Sequence, residues 1–261
     1  MTLRGAQKNV LADFILGKPV EGEAGWRYVR VPGGKRTYAV KTDADPSARF
    51  ADWVNAGLLR MPSANIRKVT ISSYAVNTAT GSLDQGESLP LTQESGQWKS
   101  TMGAVREEVV KSLAATLDGL KIVDARPKPA EMAADLRAGQ MSLSVQTALT
   151  LRSYGFLLTQ TGRVLATDGE MAVEMANGVI YTIRFGDVAA GGSENGKSGG
   201  GDRYLFVTTS WDATRAAKYG DTSGAGEKAS RDLNSRFADW FYVIANADFQ
   251  KLRLTRKDLL R

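Results

Sequence analysis

The sequence predicts an α+β fold of mostly antiparallel sheets, built from repeated β-β-β-α units and arranged in two lobes. Three observations lead to this prediction. The string Arg-Phe-Ala-Asp-Trp occurs at 49–53 and again at 236–240, and self-similarity at long spacing indicates a duplicated supersecondary unit. Short segments rich in β-branched and aromatic residues are bounded by Gly, Pro and Asn, as in strands joined by tight turns. Longer segments with apolar residues at helical spacing follow groups of these strands.

The first predicted unit occupies the start of the chain. Residues 10–17 alternate in polarity, and residues 26–31 and 37–41 flank a Pro-Gly-Gly turn, which is typical of a hairpin. Asp45 is a candidate N-cap for a helix through the first copy of the string. That helix would place four apolar residues on one face: Phe50, Trp53, Val54 and Leu58.

A second unit follows with the same order of elements. Residues 66–74 predict a strand, and Ser95-Gly96 predicts a hairpin turn. The next helix carries an apolar stripe of Val105, Val109, Val110, Leu113 and Leu117. The proline-rich, charged segment 126–129 favours extended linker geometry. It predicts a boundary between an N-terminal lobe, 1–127, with two three-strand-plus-helix units, and a C-terminal lobe, 128–261.

The C-terminal lobe is predicted to contain helices, a central hairpin and a second copy of the first unit. Helices are predicted at about 130–138 and 142–154, each ended by Gly. Asn177-Gly178 separates two strand-like segments and favours a type I′ hairpin turn. The apolar residues on both faces of this hairpin indicate a central strand pair. A final helix is predicted through Leu233, Phe237, Trp240, Phe241 and Ile244, followed by a strand at 251–255.

Composition excludes several classes of site. The chain has no Cys and no His, so disulfides, thiol nucleophiles, the usual zinc ligand sets and histidine bases are absent. Its apolar fraction of 43% supports a core. No stretch reaches the about 18 consecutive apolar residues of a membrane helix, so we expect the given chain to be soluble. The net charge of +6 is a mild excess over 261 residues, as on an ordinary solvated surface.

Three motifs are candidate sites, but the sequence supports no catalytic, cofactor-binding or metal-binding role for any of them. Residues 191–198 match the phosphate-binding P-loop pattern, but no helix is predicted after them, as that mechanism requires. The acidic pairs Asp43/Asp45 and Asp168/Glu170 lack the further ligands of a calcium loop. The basic C-terminal residues lack interleaved aromatics that stack on bases; they are Lys251, Arg253, Arg256, Lys257 and Arg261.

Several stretches together resemble the bacterial family DUF4340, a domain of unknown function, in its planctomycete-type form. These stretches are 14–18, 27–33, Gly155-Phe156, Asp168-Gly169-Glu170, 181–186, 203–206 and 236–244. The resemblance implies no established enzymatic activity. It implies an extracytoplasmic protein on the periplasmic face of the membrane, held by one N-terminal helix and found near gliding-type ABC exporters. This chain lacks that anchor and resembles the soluble part alone.

We therefore expect a non-catalytic accessory or scaffold module of a membrane transport or envelope assembly. It would have protein partners, no cofactor and no nucleic-acid ligand. One alternative is a hydrolase that acts through carboxylates or a Ser/Lys pair. Another is a module that binds an anionic polymer, such as nucleic acid, or an anionic lipid through the basic C-terminal segment.

Overall fold

The computed structural model describes residues 1–5, 9–44, 50–76, 83–189 and 201–261. Contacts within the chain divide it into two units, Met1–Ala48 and Arg49–Arg261. The strand pairs in the described ranges are antiparallel. Helices stand between groups of strands rather than in regular alternation with them, which confirms the predicted α+β class.

The first unit is built from short strands in two small sheets. β1 (Thr2–Arg4) pairs with β2 (Val10–Asp13), and a separate sheet has the order β3 (Ile15–Pro19), β4 (Trp26–Arg30), β5 (Tyr38–Lys41). The β4–β5 pair confirms the hairpin predicted about its Pro-Gly-Gly turn. The described side chains of these strands are half-buried or exposed, since such small sheets enclose little apolar surface.

The second unit is organised around an eight-stranded sheet. Its strands are β6 (Ile66–Val76), β7 (Leu83–Glu94), β8 (Gln97–Lys99), β9 (Ile122–Pro127), β12 (Glu170–Met175), β13 (Val179–Val188), β14 (Arg203–Trp211) and β15 (Trp240–Ile244). They lie in the order β8-β7-β6-β12-β13-β14-β15-β9. The β12–β13 pair is central, as the sequence predicts. Two strands form a separate hairpin, β10 (Phe156–Leu158) and β11 (Val164–Ala166).

Seven helices in the described ranges complete the second unit. They are α1 (Glu107–Gly119), α2 (Ala130–Arg137), α3 (Val145–Arg152), α4 (Ala213–Lys218), α5 (Ala225–Phe237), α6 (Asn246–Leu252) and α7 (Arg256–Leu259). α1 buries Val110, Leu113 and Leu117 of its predicted stripe. α2 and α3 confirm the helices predicted after the proline-rich segment. None of the described helices is both long and apolar enough to cross a membrane.

Two hydrophobic cores lie on opposite faces of the large sheet. Successive strand residues point to opposite faces, so Leu205 and Val207 of β14 join the larger core with α1 and α6, whereas Phe206 faces the smaller core. In the same way β15 sends Tyr242 to the larger core and Phe241 to the smaller one. The smaller core lies between strands β14 and β15 on one side and α2, α3 and the β10–β11 hairpin on the other.

The two hairpin turns predicted in the large sheet are both present, but one has a different geometry from that predicted. Ser95 and Gly96 both have positive φ (49° and 80°) in a two-residue turn between β7 and β8, as a type I′ turn requires. At Asn177-Gly178 only Gly178 has positive φ (77°). β12 and β13 are paired with Glu174 opposite Ile180, so the type I′ prediction is wrong there. The loop is one residue longer and matches a three-residue turn with a glycine bulge.

The two copies of the five-residue string have different local structures, which corrects the prediction of two equivalent helices. In the described part of the first copy, Phe50–Asp52 forms a short 3-10 turn. In the second, α5 ends at Phe237 and Trp240 begins β15. Trp53 and Trp240 are 59% and 42% exposed, so neither is a buried helix anchor. β15 is a strand because its aromatic and β-branched residues alternate between two cores, which outweighs helical spacing.

One further prediction differs from the structure. The strand predicted at 251–255 is wrong, because the chain there ends α6 and then enters α7 through a capping box of Thr255 and Asp258. The boundary between lobes 1–127 and 128–261 stays a prediction, while contacts within the chain divide it between 48 and 49. The large sheet contains strands from both sides of Pro127, since β9 pairs with β15.

Candidate functional site

A cleft opens beside β14, at the point where β15 no longer pairs with this strand. The ladder between β14 and β15 ends at Leu205 and Tyr242. At Thr209 the side chain of Asn234 in α5 makes the two hydrogen bonds that a neighbouring strand would make. It accepts one from the Thr209 N–H (2.7 Å) and donates one to the Thr209 carbonyl (2.6 Å). Between these two positions the edge of β14 borders a cavity rather than another strand.

This cavity, which we name the β14 cleft, has a volume of about 450 Å³, within the range of small-molecule sites. Its walls come from the α2–α3 connection, the turn of the β10–β11 hairpin, β13, β14 and the end of α5. Its lining residues are Leu136, Gly139, Gln140, Met141, Thr161, Gly162, Arg163, Val164, Arg184, Phe206, Val207, Thr208, Thr209, Asn234, Phe237 and Ala238. Two are arginines and none is acidic.

The two arginines share one carboxylate, that of Glu170. Arg163 Nη2 lies 2.7 Å from Glu170 Oε1, and Arg184 Nε lies 3.4 Å from Oε2. The Tyr74 hydroxyl also donates to Oε2 at 3.5 Å, and burial raises the pKa of Tyr74 to about 12, so it remains a donor. The Arg184 side chain is only 12% exposed. This burial lowers the pKa of Arg184 from its ordinary value, because a guanidinium loses hydration there.

The other acidic side chains near β12 are also neutralised by cations. Asp168 pairs with Arg203 (3.0 Å) and with Arg253 (3.8 Å). Asp168 and Glu170, the acidic pair considered from the sequence, are therefore held in separate ion pairs rather than joined in one site. Asp45 lies outside the described residues. In the described ranges no three Asp, Glu, His or Cys side chains form a group that could hold a metal ion.

A second surface, which we name the aromatic groove, brings the two five-residue strings together. It has a volume of about 350 Å³ and is lined by Phe50, Val54, Leu58, Ile122, Ala125, Arg236, Asp239, Trp240 and Tyr242. Phe50 belongs to the first string, and Arg236, Asp239 and Trp240 belong to the second. The groove lies at β9, one of the two outer strands of the large sheet, where the Ile122 N–H donates to the Ala56 carbonyl (2.9 Å).

A buried lysine supports the turn between the β14 cleft and the aromatic groove. The Lys128 ammonium donates to the carbonyls of Phe237 (2.7 Å) and Trp240 (2.8 Å). It also lies over the rings of Phe206 and Phe241, at 4.5 and 5.1 Å from their centroids. Burial lowers the pKa of Lys128 to about 7. Both carbonyl contacts are internal, so the geometry makes Lys128 a support for this turn rather than a nucleophile.

The remaining motifs considered from the sequence do not form a site in the described structure. Residues 191–198, which match the P-loop pattern, lie outside the described residues. Arg253 pairs with Asp168, and Arg256 pairs with Glu87 at 2.9 Å. The other basic C-terminal residues are exposed on α6, on α7 and at the end of the chain: Lys251, Lys257 and Arg261.

Sequence reasoning missed Arg163, Arg184 and Lys128. One signal was available for Arg184, because it stands between Ile183 and Phe185 in a strand predicted to be covered on both faces. A charged residue in such a strand must have a partner or a ligand. No comparable signal exists for Arg163, which lies in a turn, or for Lys128, whose burial depends on the packing of α5 and β15.

Comparisons with known proteins assign a family but no activity. No curated protein matches the chain, and no solved structure does. A family model described as "Domain of unknown function (DUF4340)" matches residues 1–139, which is more than half of the 261 residues. This agrees with the resemblance seen in the sequence. The chain therefore belongs to the DUF4340 family.

Proposed function

We propose that this DUF4340 protein is a non-catalytic interaction module that binds a partner protein through its aromatic groove. The observation that carries the proposal is the groove itself: an apolar concavity at a sheet edge with Trp240 42% exposed on its wall. Tryptophan is enriched among the residues that dominate binding at protein interfaces. Among the described residues, the groove lining holds one acidic and one basic side chain, Asp239 and Arg236, a set that does not favour acid–base catalysis.

The charges of the groove favour a partner segment with an acidic residue. Asp239 is already paired with Arg137 of α2. Arg236 is exposed, and no ion pair of its side chain is found in the part of the chain that the structure describes. An apolar segment with a carboxylate next to it would fill the groove and pair with Arg236.

The family resemblance suggests where such a partner would be found. It implies an extracytoplasmic position and an association with membrane transport or envelope components, and both belong to this proposal. The partner would then be a subunit of such an assembly, and this chain its accessory or scaffold module.

We expect Val54→Glu and Trp240→Ala to weaken partner binding by about thirtyfold or more, since interface hot spots contribute about 2 kcal/mol each. The tagged protein would be cross-linked in native membranes, and co-purified transport and envelope proteins would be quantified by mass spectrometry. Affinity for the recovered partner would then be measured with purified proteins. Val145→Glu is the matched control, because Val145 of α3 is 78% exposed and does not line the groove.

Two results would contradict the proposal. One is recovery of no transport or envelope protein by the unsubstituted chain. The other is equal loss of the partner in Val54→Glu and Val145→Glu, because the substitution would then act through general surface charge. Circular dichroism spectra and unfolding curves of each variant separate loss of binding from loss of fold.

A further inference from the structure

The β14 cleft contains an unbalanced positive charge. Arg163 and Arg184 both pair with Glu170, and none of the described residues that line the cleft is acidic. Two guanidinium groups therefore share one carboxylate, and the side chains of Arg184 and Glu170 are only 12% and 14% exposed, whereas that of Arg163 is 52% exposed. A buried charge without compensation is costly, and this imbalance favours the entry of one negative charge.

The hydrogen-bonding capacity of Arg184 is only partly used. Its Nη1 donates to Thr208 Oγ1 at 3.0 Å. Its Nε is buried and has no hydrogen-bond partner of good geometry, although Glu170 Oε2 is 3.4 Å away. For Nη2 no hydrogen bond is found within the described residues. Buried polar donors are almost always satisfied in native proteins. Nε is buried against Glu170, which leaves Nη2 as the Arg184 donor for an acceptor supplied from outside.

The rest of the cleft is suited to an apolar group. Leu136, Met141, Val164, Phe206 and Phe237 contribute apolar side chains to the lining. Sites of this kind hold a ligand by burying its apolar surface and orient it with a few polar contacts. The arginines lie in β13 and in the β10–β11 turn, so the polar end of the cleft is defined by two different elements.

We propose that the β14 cleft binds a small organic carboxylate with an apolar body, whose carboxylate is held by Arg163 and Arg184. A guanidinium and a carboxylate match in geometry, because two parallel hydrogen bonds form between them. A single negative charge balances the one excess positive charge, whereas a phosphate monoester carries about −1.5 to −2 charges at neutral pH. The ligand site goes beyond the proposed function and uses a different surface from the aromatic groove.

The test compares three probes of similar shape by isothermal titration calorimetry: 3-phenylpropionate, the neutral 3-phenylpropanol and phenyl phosphate. We expect saturable binding of 3-phenylpropionate. The alcohol should bind about tenfold more weakly or worse, since a hydrogen bond to a charged group contributes at least that factor. Phenyl phosphate should bind more weakly than 3-phenylpropionate, because its second charge has no counterpart.

Arg163→Met should reduce binding of 3-phenylpropionate by about tenfold, and Arg163→Lys should restore part of it. Arg163 is chosen because its side chain is 52% exposed, so Glu170 and Arg184 keep their own pair when it is replaced. Arg231→Met is the matched control: Arg231 is exposed on α5, pairs with Glu227 and does not line the cleft. This control variant should bind all three probes like the unsubstituted protein.

Three results would overturn the inference: equal affinity for the acid and the alcohol, no binding of 3-phenylpropionate at millimolar concentration, or tighter binding of phenyl phosphate. The same affinity in Arg163→Met and Arg231→Met would also overturn it. Val54→Glu, which blocks the aromatic groove, should leave 3-phenylpropionate binding unchanged. Failure of this inference is thus distinguishable from failure of the proposed function.

Discussion

Replacing Gly155 by alanine is expected to lower the free energy of unfolding by about 3 kcal/mol or more. Gly155 joins α3 to β10 with φ of +80°, a conformation that costs an L-residue about 1–2 kcal/mol. An added Cβ would also lie 2.2 Å from the Asp187 amide nitrogen. Relief of that contact requires the end of β13 to move, which costs about 1–3 kcal/mol more. Urea unfolding of the purified variant measures the sum.

Gly96→Ala is the matched control for this prediction. Gly96 has the same φ of +80°, but nothing lies within 4 Å of its added Cβ. This variant should lose only the conformational part, about 1–2 kcal/mol. Equal losses in the two variants would show that the close approach of residues 155 and 187 contributes nothing. The β10–β11 hairpin follows Gly155 and carries Arg163, so the close approach also bears on the position of the β14 cleft.

The fold class and the central hairpin could be predicted because their signals are local. Asn177-Gly178 lies between two segments of strand-forming residues, and a tight turn forces such neighbours to pair. The apolar stripe of α1 is also local, since residues three and four apart share one helix face. The secondary structure of the second copy of the five-residue string depends on tertiary packing. The residues after Phe237 form a strand because they alternate between two cores, which the sequence alone does not reveal.

The candidate site could not be predicted, because it depends on strand register. A two-residue type I′ turn at Asn177-Gly178 would place Glu170 opposite Phe185. The observed three-residue loop places Glu170 opposite Arg184 instead. A slip of one residue moves every side chain of a strand relative to its partner. This single extra loop residue therefore creates the pair of Glu170 and Arg184, to which the β10–β11 turn adds Arg163.

Replacing Lys128 by methionine is expected to remove most of a rise in stability that the unsubstituted protein shows between about pH 7 and pH 9.5. Burial lowers the folded-state pKa of Lys128 from 10.5 to about 7, against the opposing effect of Asp239. The unfolded chain keeps this proton up to its ordinary pKa, whereas the folded chain releases it near pH 7. Between these values the unfolded state binds more protons, so stability rises with pH.

The expected rise is about 3 kcal/mol over this range, from a slope of at most about 1.4 kcal/mol per pH unit. Burial also raises the pKa values of Tyr74 and Tyr242 to about 12. Unfolded tyrosines lose their protons above about pH 10, so these two residues lower stability only beyond the chosen range. Urea unfolding at several pH values, with Lys128→Met beside the unsubstituted protein, measures the difference in slope. Lys228→Met, at an exposed position on α5, controls for the loss of a positive charge.

Parallel stability curves for the unsubstituted protein and Lys128→Met would contradict the prediction. They would mean that the carbonyls of Phe237 and Trp240, with the rings of Phe206 and Phe241, replace the lost hydration of the ammonium in full. If stability rises with pH only in proteins that contain Lys128, these contacts replace the hydration of the ammonium only in part. The β14 cleft and the aromatic groove share the turn from Phe237 to Trp240 as a wall. The free energy of unfolding of the fold that carries both surfaces would then rise as Lys128 releases its proton above neutral pH.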